Sequence, residues 1–112
     1  MAICNSLDDS RQSQQQSEEI LAHLHRTGPI LPEGARLLLC GPANPGWRVV
    51  TVWDSQEVRD RFFADRLGPA YEAIGLSLQD VHRTQFEVQM LIAGDLVGPP
   101  QSPAAPGSGA IR

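Results

Sequence analysis

One seven-residue run, Trp47-Arg48-Val49-Val50-Thr51-Val52-Trp53, is apolar on both sides when drawn as a strand. Strand side chains alternate faces. Trp47, Val49, Thr51 and Trp53 therefore share one side and Val50 and Val52 the other, with Arg48 the only charge. A strand like this needs cover above and below. The chain has 112 residues, the size of one domain. Its two helical segments are enough to cover one face of a sheet. The second face is expected to meet another copy of the same sheet, giving a homodimer that encloses an apolar space.

The other elements follow from pattern. Residues 1–6 read as a short strand. Asp8, Asp9 and Ser10 offer helix caps. A helix over 11–26 begins with the polar run Gln12-Ser13-Gln14-Gln15-Gln16-Ser17 and packs through Ile20, Leu21 and Leu24. Residues 35–40 form a second strand, and the Pro/Gly-rich 41–46 turns it into the third. Asp54-x-x-Glu57 fits a capping box. Val58, Phe62, Phe63, Leu67, Tyr71 and Ile74 then mark one helical stripe, interrupted by Gly68-Pro69 and capped by Gly75. A last strand is expected over 81–92, where Phe86, Val88, Met90 and Ile92 alternate with polar residues. The order β-α-β-β-α-β predicts an α+β, ferredoxin-like domain over 1–94, with a four-stranded antiparallel sheet and both helices on one face. Residues 95–112, rich in Pro, Gly, Ser and Ala, are expected to be a flexible tail.

Composition excludes several function classes. Net charge is −4 with no basic stripe, which argues against nucleic-acid binding. All nine basic side chains are Arg; without Lys there is no Schiff-base chemistry. Cys4 and Cys40 lie in apolar runs far from zinc or CxxC spacing, so buried reduced thiols are expected. His23 and His25 are two apart on a helix and point away from one another, so no metal site is expected. No apolar run reaches the ~20 residues of a membrane span. The start, Met1-Ala2-Ile3-Cys4, passes at once into polar residues, and a cytoplasmic protein is expected.

The segment Gly46-Trp47-Arg48-Val49-Val50-Thr51-Val52-Trp53-Asp54-Ser55-Gln56-Glu57, continued by Phe62-Phe63 and Arg66-Leu67-Gly68-Pro69-Ala70, resembles the antibiotic biosynthesis monooxygenase-like family. The resemblance covers residues 1–92 in element order and is concentrated in 46–75. It implies a dimeric α+β barrel. It also implies cofactor-independent action on small molecules, within a group that includes quinone-forming monooxygenases, cyclases, isomerases and haem-degrading enzymes. Two departures bear on activity. The monooxygenases carry an asparagine four residues before the strand-end tryptophan; here Trp53 is kept and the asparagine position is Val49. Asn5 on the first strand is another amide that could serve. The haem-degrading branch places a tryptophan and a histidine on the second helix, where this chain has Phe62 and Glu72 and no histidine anywhere in 54–81.

Four residues are candidates for chemistry. Trp53 could stack on a flat ligand or simply fill the core. Tyr71, on the apolar stripe, needs a hydroxyl partner that is either a substrate oxygen or a protein group. His23, three residues after Ile20, could be a general base or a half-exposed surface histidine. Arg83 could hold an enolate or carboxylate, or pair with Asp80, Glu87 or a partner subunit. Its strand neighbour His82 must face the opposite way. If Phe86, Val88 and Met90 face the helices, the row Arg83, Gln85 and Glu87 faces the dimer side. The expected function is a small cofactor-independent enzyme of polyketide-type secondary metabolism. It would act on an apolar or aromatic molecule by monooxygenation, cyclisation or isomerisation. The alternative is a non-catalytic dimeric small-molecule-binding or stress-associated protein of the same fold.

Overall fold

The two-sided apolar strand lies inside the sheet, with neighbours on both edges. The structure is a computed structural model that describes residues 1–92 and 94. Its elements run β1 (Ile3–Asp9), α1 (Gln14–Thr27), β2 (Ala35–Pro42), β3 (Trp47–Trp53) and α2 (Gln56–Phe62). A π-helical turn (Phe63–Leu67), α3 (Gly68–Ala73), a 3-10 turn (Leu78–Asp80) and β4 (His82–Glu87) follow. The sheet order is β2-β3-β1-β4 with every neighbouring pair antiparallel. This is the ferredoxin-like α+β arrangement expected from the element order. The expected tail, 95–112, lies outside the described residues.

Register divides the sheet into two faces. Ile3 pairs with Trp53, Asn5 with Thr51, Leu7 with Val49 and Asp9 with Trp47. These odd-numbered residues point to the helices, and Ile3, Leu7 and Trp53 join Ile20, Leu24, Phe62, Phe63, Leu67, Ala70 and Tyr71 in one core. The other face carries Cys4, Ser6 and Asp8 on β1 and Arg48, Val50 and Val52 on β3. There Val52 and Cys4 are buried and Val50 half-buried, while Leu39 is 52% and Phe86 63% exposed. On this face Arg48 forms a close ion pair with Asp8, its partner in register, at 2.6 Å.

The second helix is not a kinked rod. It opens as α2, widens into the π turn and resumes as α3, with Pro69 in the first turn of the new segment. Proline lacks an N–H and suits a helix start. The wider turn takes up one extra residue. Adjacent Phe62 and Phe63 can then both be buried, together with Leu67 and Tyr71 further along.

Several boundaries differ from the sequence expectation. β1 continues to Asp9 because Asp9 is buried, with its carboxylate bonded to the Arg11 N–H at 2.9 Å and its guanidinium at 3.3 Å. The cap of α1 is therefore Ser13, not Asp8, Asp9 or Ser10, and with Gln16 it forms a full capping box. Ser55, not Asp54, caps α2, because Asp54 is engaged by Arg36 at 2.6 Å. Cys40 is exposed rather than buried, since β2 is an edge strand. β4 ends at Glu87, short of the expected 92. Its faces are also the reverse of those considered for an inward Phe86. Gln85 pairs with Asn5 and Arg83 with Leu7, so the polar row faces the helices and Phe86 the open side.

The β2–β3 turn ends at Gly46, which has φ +94° and approaches the end of β1 so closely that a Cβ would lie 2.1 Å from the Asp9 carbonyl oxygen. Gly75, at φ +82°, closes α3 with open space around it. Gly46→Ala is expected to cost about 2–4 kcal/mol, from the left-handed backbone and the backbone clash together, and Gly75→Ala about 1 kcal/mol from backbone strain alone. Urea unfolding of the two variants measures the difference.

Candidate functional site

Between α1, the π turn and the helix side of the sheet lies a cavity of about 30 Å³. Its floor is Leu7, Val49 and Thr51, and its far wall is Ile20, Leu21 and Leu24 of α1. Phe62, Phe63 and Leu67 form the roof, Tyr71 and Gln12 one end, and Leu38 and Cys40 the β2 edge. Because Cys40 is both a wall residue and exposed, the cavity comes closest to solvent at that edge. The space holds about two water molecules. Ligand pockets are usually several hundred Å³, so a larger ligand requires wall side chains to move. A second depression, about 160 Å³, lies outside α2 among Glu33, Arg61, Asp65 and Arg66. Its mixed charges make it an ordinary solvated groove.

The polar groups at the cavity are few and neutral. Tyr71 is 2% exposed and its hydroxyl donates to Gln12 Oε1 at 3.2 Å. Burial, reinforced by the Asp9 carboxylate and opposed by Arg83, pushes the phenol up to about 12. Tyr71 therefore keeps its proton in the physiological range, and can donate a hydrogen bond but not act as a base. Thr51 Oγ1 accepts the indole N–H of Trp53 at 2.8 Å. The Thr51 proton is consequently directed away from Trp53, and Thr51 is a cavity wall.

The four sequence candidates do not converge on one point. Tyr71 lines the cavity. Trp53, 1% exposed, lies behind Thr51 with its ring 5.2 Å from Phe62 and edge-on to Phe63 at 6.1 Å. It is packed on protein aromatics, is not a cavity wall, and is hydrogen-bonded to the wall residue Thr51. Arg83 is on the helix side, its guanidinium 5.6 Å from the Phe63 ring and donating to the Leu78 carbonyl oxygen at 3.3 Å. The ion pairs expected with Asp80 or Glu87 are not formed. His23 is half-buried on α1, away from the cavity wall, with no hydrogen-bond partner among the described residues.

Sequence reasoning missed Gln12, Thr51 and Arg59. Arg59 is 8% exposed and bonds Asn5 Oδ1 and Gln85 Oε1, the latter at 2.7 Å. A polar residue inside an apolar strand was a visible signal for Thr51. Gln12 and Arg59 carried none, because their partners are 59 and 54 residues away. Among the described residues no group of three or more His, Cys, Asp or Glu side chains is placed to hold a metal. No described helix is long and apolar enough to cross a membrane.

No family model and no curated protein matches this chain. Among solved structures it is similar to a Deinococcus radiodurans protein provisionally described as an antibiotic biosynthesis monooxygenase. The two are 20% identical, with 88% of this chain and all of the other covered, at a TM-score of 0.49. It is also similar to a mutant form of SnoaB, a cofactor-independent oxygenase from Streptomyces nogalater, at 13% identity, 83% and 96% coverage and a TM-score of 0.49. At these values the likeness is one of chain path. The fold assignment rests on the strand order and register above.

The Tyr71 environment makes a pH prediction. Its phenol titrates near 10 when unfolded and near 12 when folded. The folded state thus gains from holding this proton. That gain is fully present below pH 10 and lost as pH rises through about 12, an effect of about 2–3 kcal/mol. Tyr71→Phe should flatten the stability loss between pH 10 and 12 relative to wild type in denaturant titrations. An unchanged slope would contradict the assigned environment.

Proposed function

We propose that this protein is a small cofactor-independent enzyme of polyketide-type secondary metabolism, working in the cytoplasm as a homodimer. Its substrate is an apolar or aromatic molecule held between the helices and the sheet. The reaction is monooxygenation, cyclisation or isomerisation. The observation that carries this reading is the cavity itself: an apolar chamber marked by the protonated Tyr71 hydroxyl, the Gln12 amide and the Thr51 hydroxyl. Such a chamber shields an electron-rich substrate from water and offers neutral donors to oxygen that gains charge in the transition state. An electron-rich ring supplies the reactivity, so the protein has little covalent work to do.

The homodimer is part of the same reading. Leu39 and Phe86, together with Val50, leave an apolar area on the open face of the sheet. Exposed patches of this kind mark association surfaces, and a twofold partner presenting the same face is the simplest cover. The reading takes residues 1–94 as the working domain and 95–112 as an appended tail.

A second reading, a non-catalytic dimeric small-molecule-binding or stress-associated protein, is favoured by two observations. The cavity is only about 30 Å³, and His23 is not among its walls. Oxygen uptake and product analysis separate the two. With 1,5-dihydroxynaphthalene in air and no added metal or flavin, the enzyme reading predicts saturable turnover above the protein-free rate, lowered about 10- to 100-fold by Tyr71→Phe. Saturable binding without oxidised, cyclised or isomerised product across a panel of such phenols supports the binding protein instead.

A further inference from the structure

The cavity walls are not equally buried, and the difference has a direction. Cys40, Val49 and Leu7 are register partners on β2, β3 and β1, side by side on the helix face. Cys40 is exposed, Val49 half-buried and Leu7 1% exposed. Further along β2, Leu38 is half-buried and its β3 partner Thr51 is buried. Across the cavity, Leu21 of α1 is half-buried, and every remaining wall residue is buried. The accessible walls are thus Leu21, Leu38, Cys40 and Val49, and three of the four lie on β2 and β3.

Polarity runs the other way. The accessible walls carry only aliphatic groups and one thiol. The hydroxyls and the amide belong to buried walls: Ser17, Thr51, Tyr71 and Gln12. Gln12 follows β1, its backbone N–H held by the Asp9 carbonyl oxygen at 3.2 Å, and its side chain accepts from the Tyr71 hydroxyl. A ligand oxygen left among the accessible walls would lose water and gain no strong partner. At the buried walls it meets donors.

The same four walls are the ones able to give way. A cavity of about 30 Å³ must widen for an organic ligand. Displacing Leu7, Leu24 or Phe63 would open voids in a packed core. Turning Leu21, Leu38 or Cys40 outward would not, because these side chains already reach solvent, and β2 is an edge strand with one neighbour.

We propose that ligands enter the cavity across the β2 edge, between Leu21 and the Leu38–Cys40 pair, and bind oxygen first. The apolar body then lies along the row from Leu7 to Cys40, whose backbones are two strand spacings, ~10 Å, apart. The ligand class is a phenol or enol whose apolar body extends opposite its oxygen. Leu38 and Cys40 are specificity-determining residues that set how long and how wide that body can be. This inference rests on the reading of the cavity as the ligand compartment, and adds the route and the orientation.

Cys40 is exposed and Cys4 is buried, so wild type carries its own probe at the mouth. The test measures alkylation of Cys40 by N-ethylmaleimide, located by peptide mass spectrometry, with phenol or 4-hexylphenol bound. At about ten times its Kd, 4-hexylphenol should slow alkylation about tenfold, and phenol, too short to reach the edge, less than about twofold. In calorimetry, para-alkylphenols should tighten about threefold per added methylene until the tail reaches the edge. Tyr71→Phe should lower the 4-hexylphenol-to-hexylbenzene affinity ratio about tenfold, and Cys40→Trp the 4-hexylphenol-to-phenol ratio by a similar factor. Bound 4-hexylphenol with Cys40 alkylated at its free rate overturns the inference. So does protection by phenol equal to that by 4-hexylphenol, which would put the oxygen at the mouth. Wild type that binds neither phenol instead sinks the ligand-compartment reading, and this inference with it.

Discussion

The antiparallel pairing of β1 with β3 is the interaction on which the rest of this structure depends. It joins two strands from the start and middle of the chain in a seven-residue register. It also aligns Ile3, Leu7 and Trp53 into the floor of the single core. Once that register is set, every second residue is committed to one face. The helices then need only cover the face that carries the tryptophan, while the opposite face keeps its own apolar residues with no element laid across it among the described residues.

The helix side is apolar but not uniform. At the β4 end Arg59 reaches down to Asn5 and Gln85; at the other end Gln12 meets Tyr71. Between them Trp53, Phe62 and Phe63 form an aromatic cluster with centroids 5.2–6.5 Å apart. The π turn permits that cluster, because it lets two consecutive phenylalanines face the sheet. Packing and site are thus one arrangement. The side chains that close the core also set the cavity walls, and the buried polar groups lie at its borders.

Much of the fold was legible because it is written in local pattern. The period-two run at 47–53 and the helical stripe from Val58 to Ile74 both survive in the structure. Errors arose where a distant partner outvoted a local signal. Asp54 looks like a cap until Arg36 takes its carboxylate. Asp9 looks like a helix start until Arg11 allows it to remain in a strand. In β4 the alternation left open which row faces the helices; Arg59 supplies a partner for Gln85, and Phe86 lies on the open side. The site was less legible than the fold for the same reason. Tyr71 was recognisable from its place on the stripe, whereas the roles of Gln12 and Arg59 exist only through contacts across more than fifty residues.

A sheet covered on one side is the central physical claim, and the protomer's size makes it directly measurable. Sedimentation equilibrium of the 12.2 kDa chain at micromolar concentration should give about twice that mass. Leu39→Glu combined with Phe86→Glu, two exposed open-face positions, should return it to the protomer mass with its fold retained. A wild-type protein that stays monomeric and folded across that range would contradict the account.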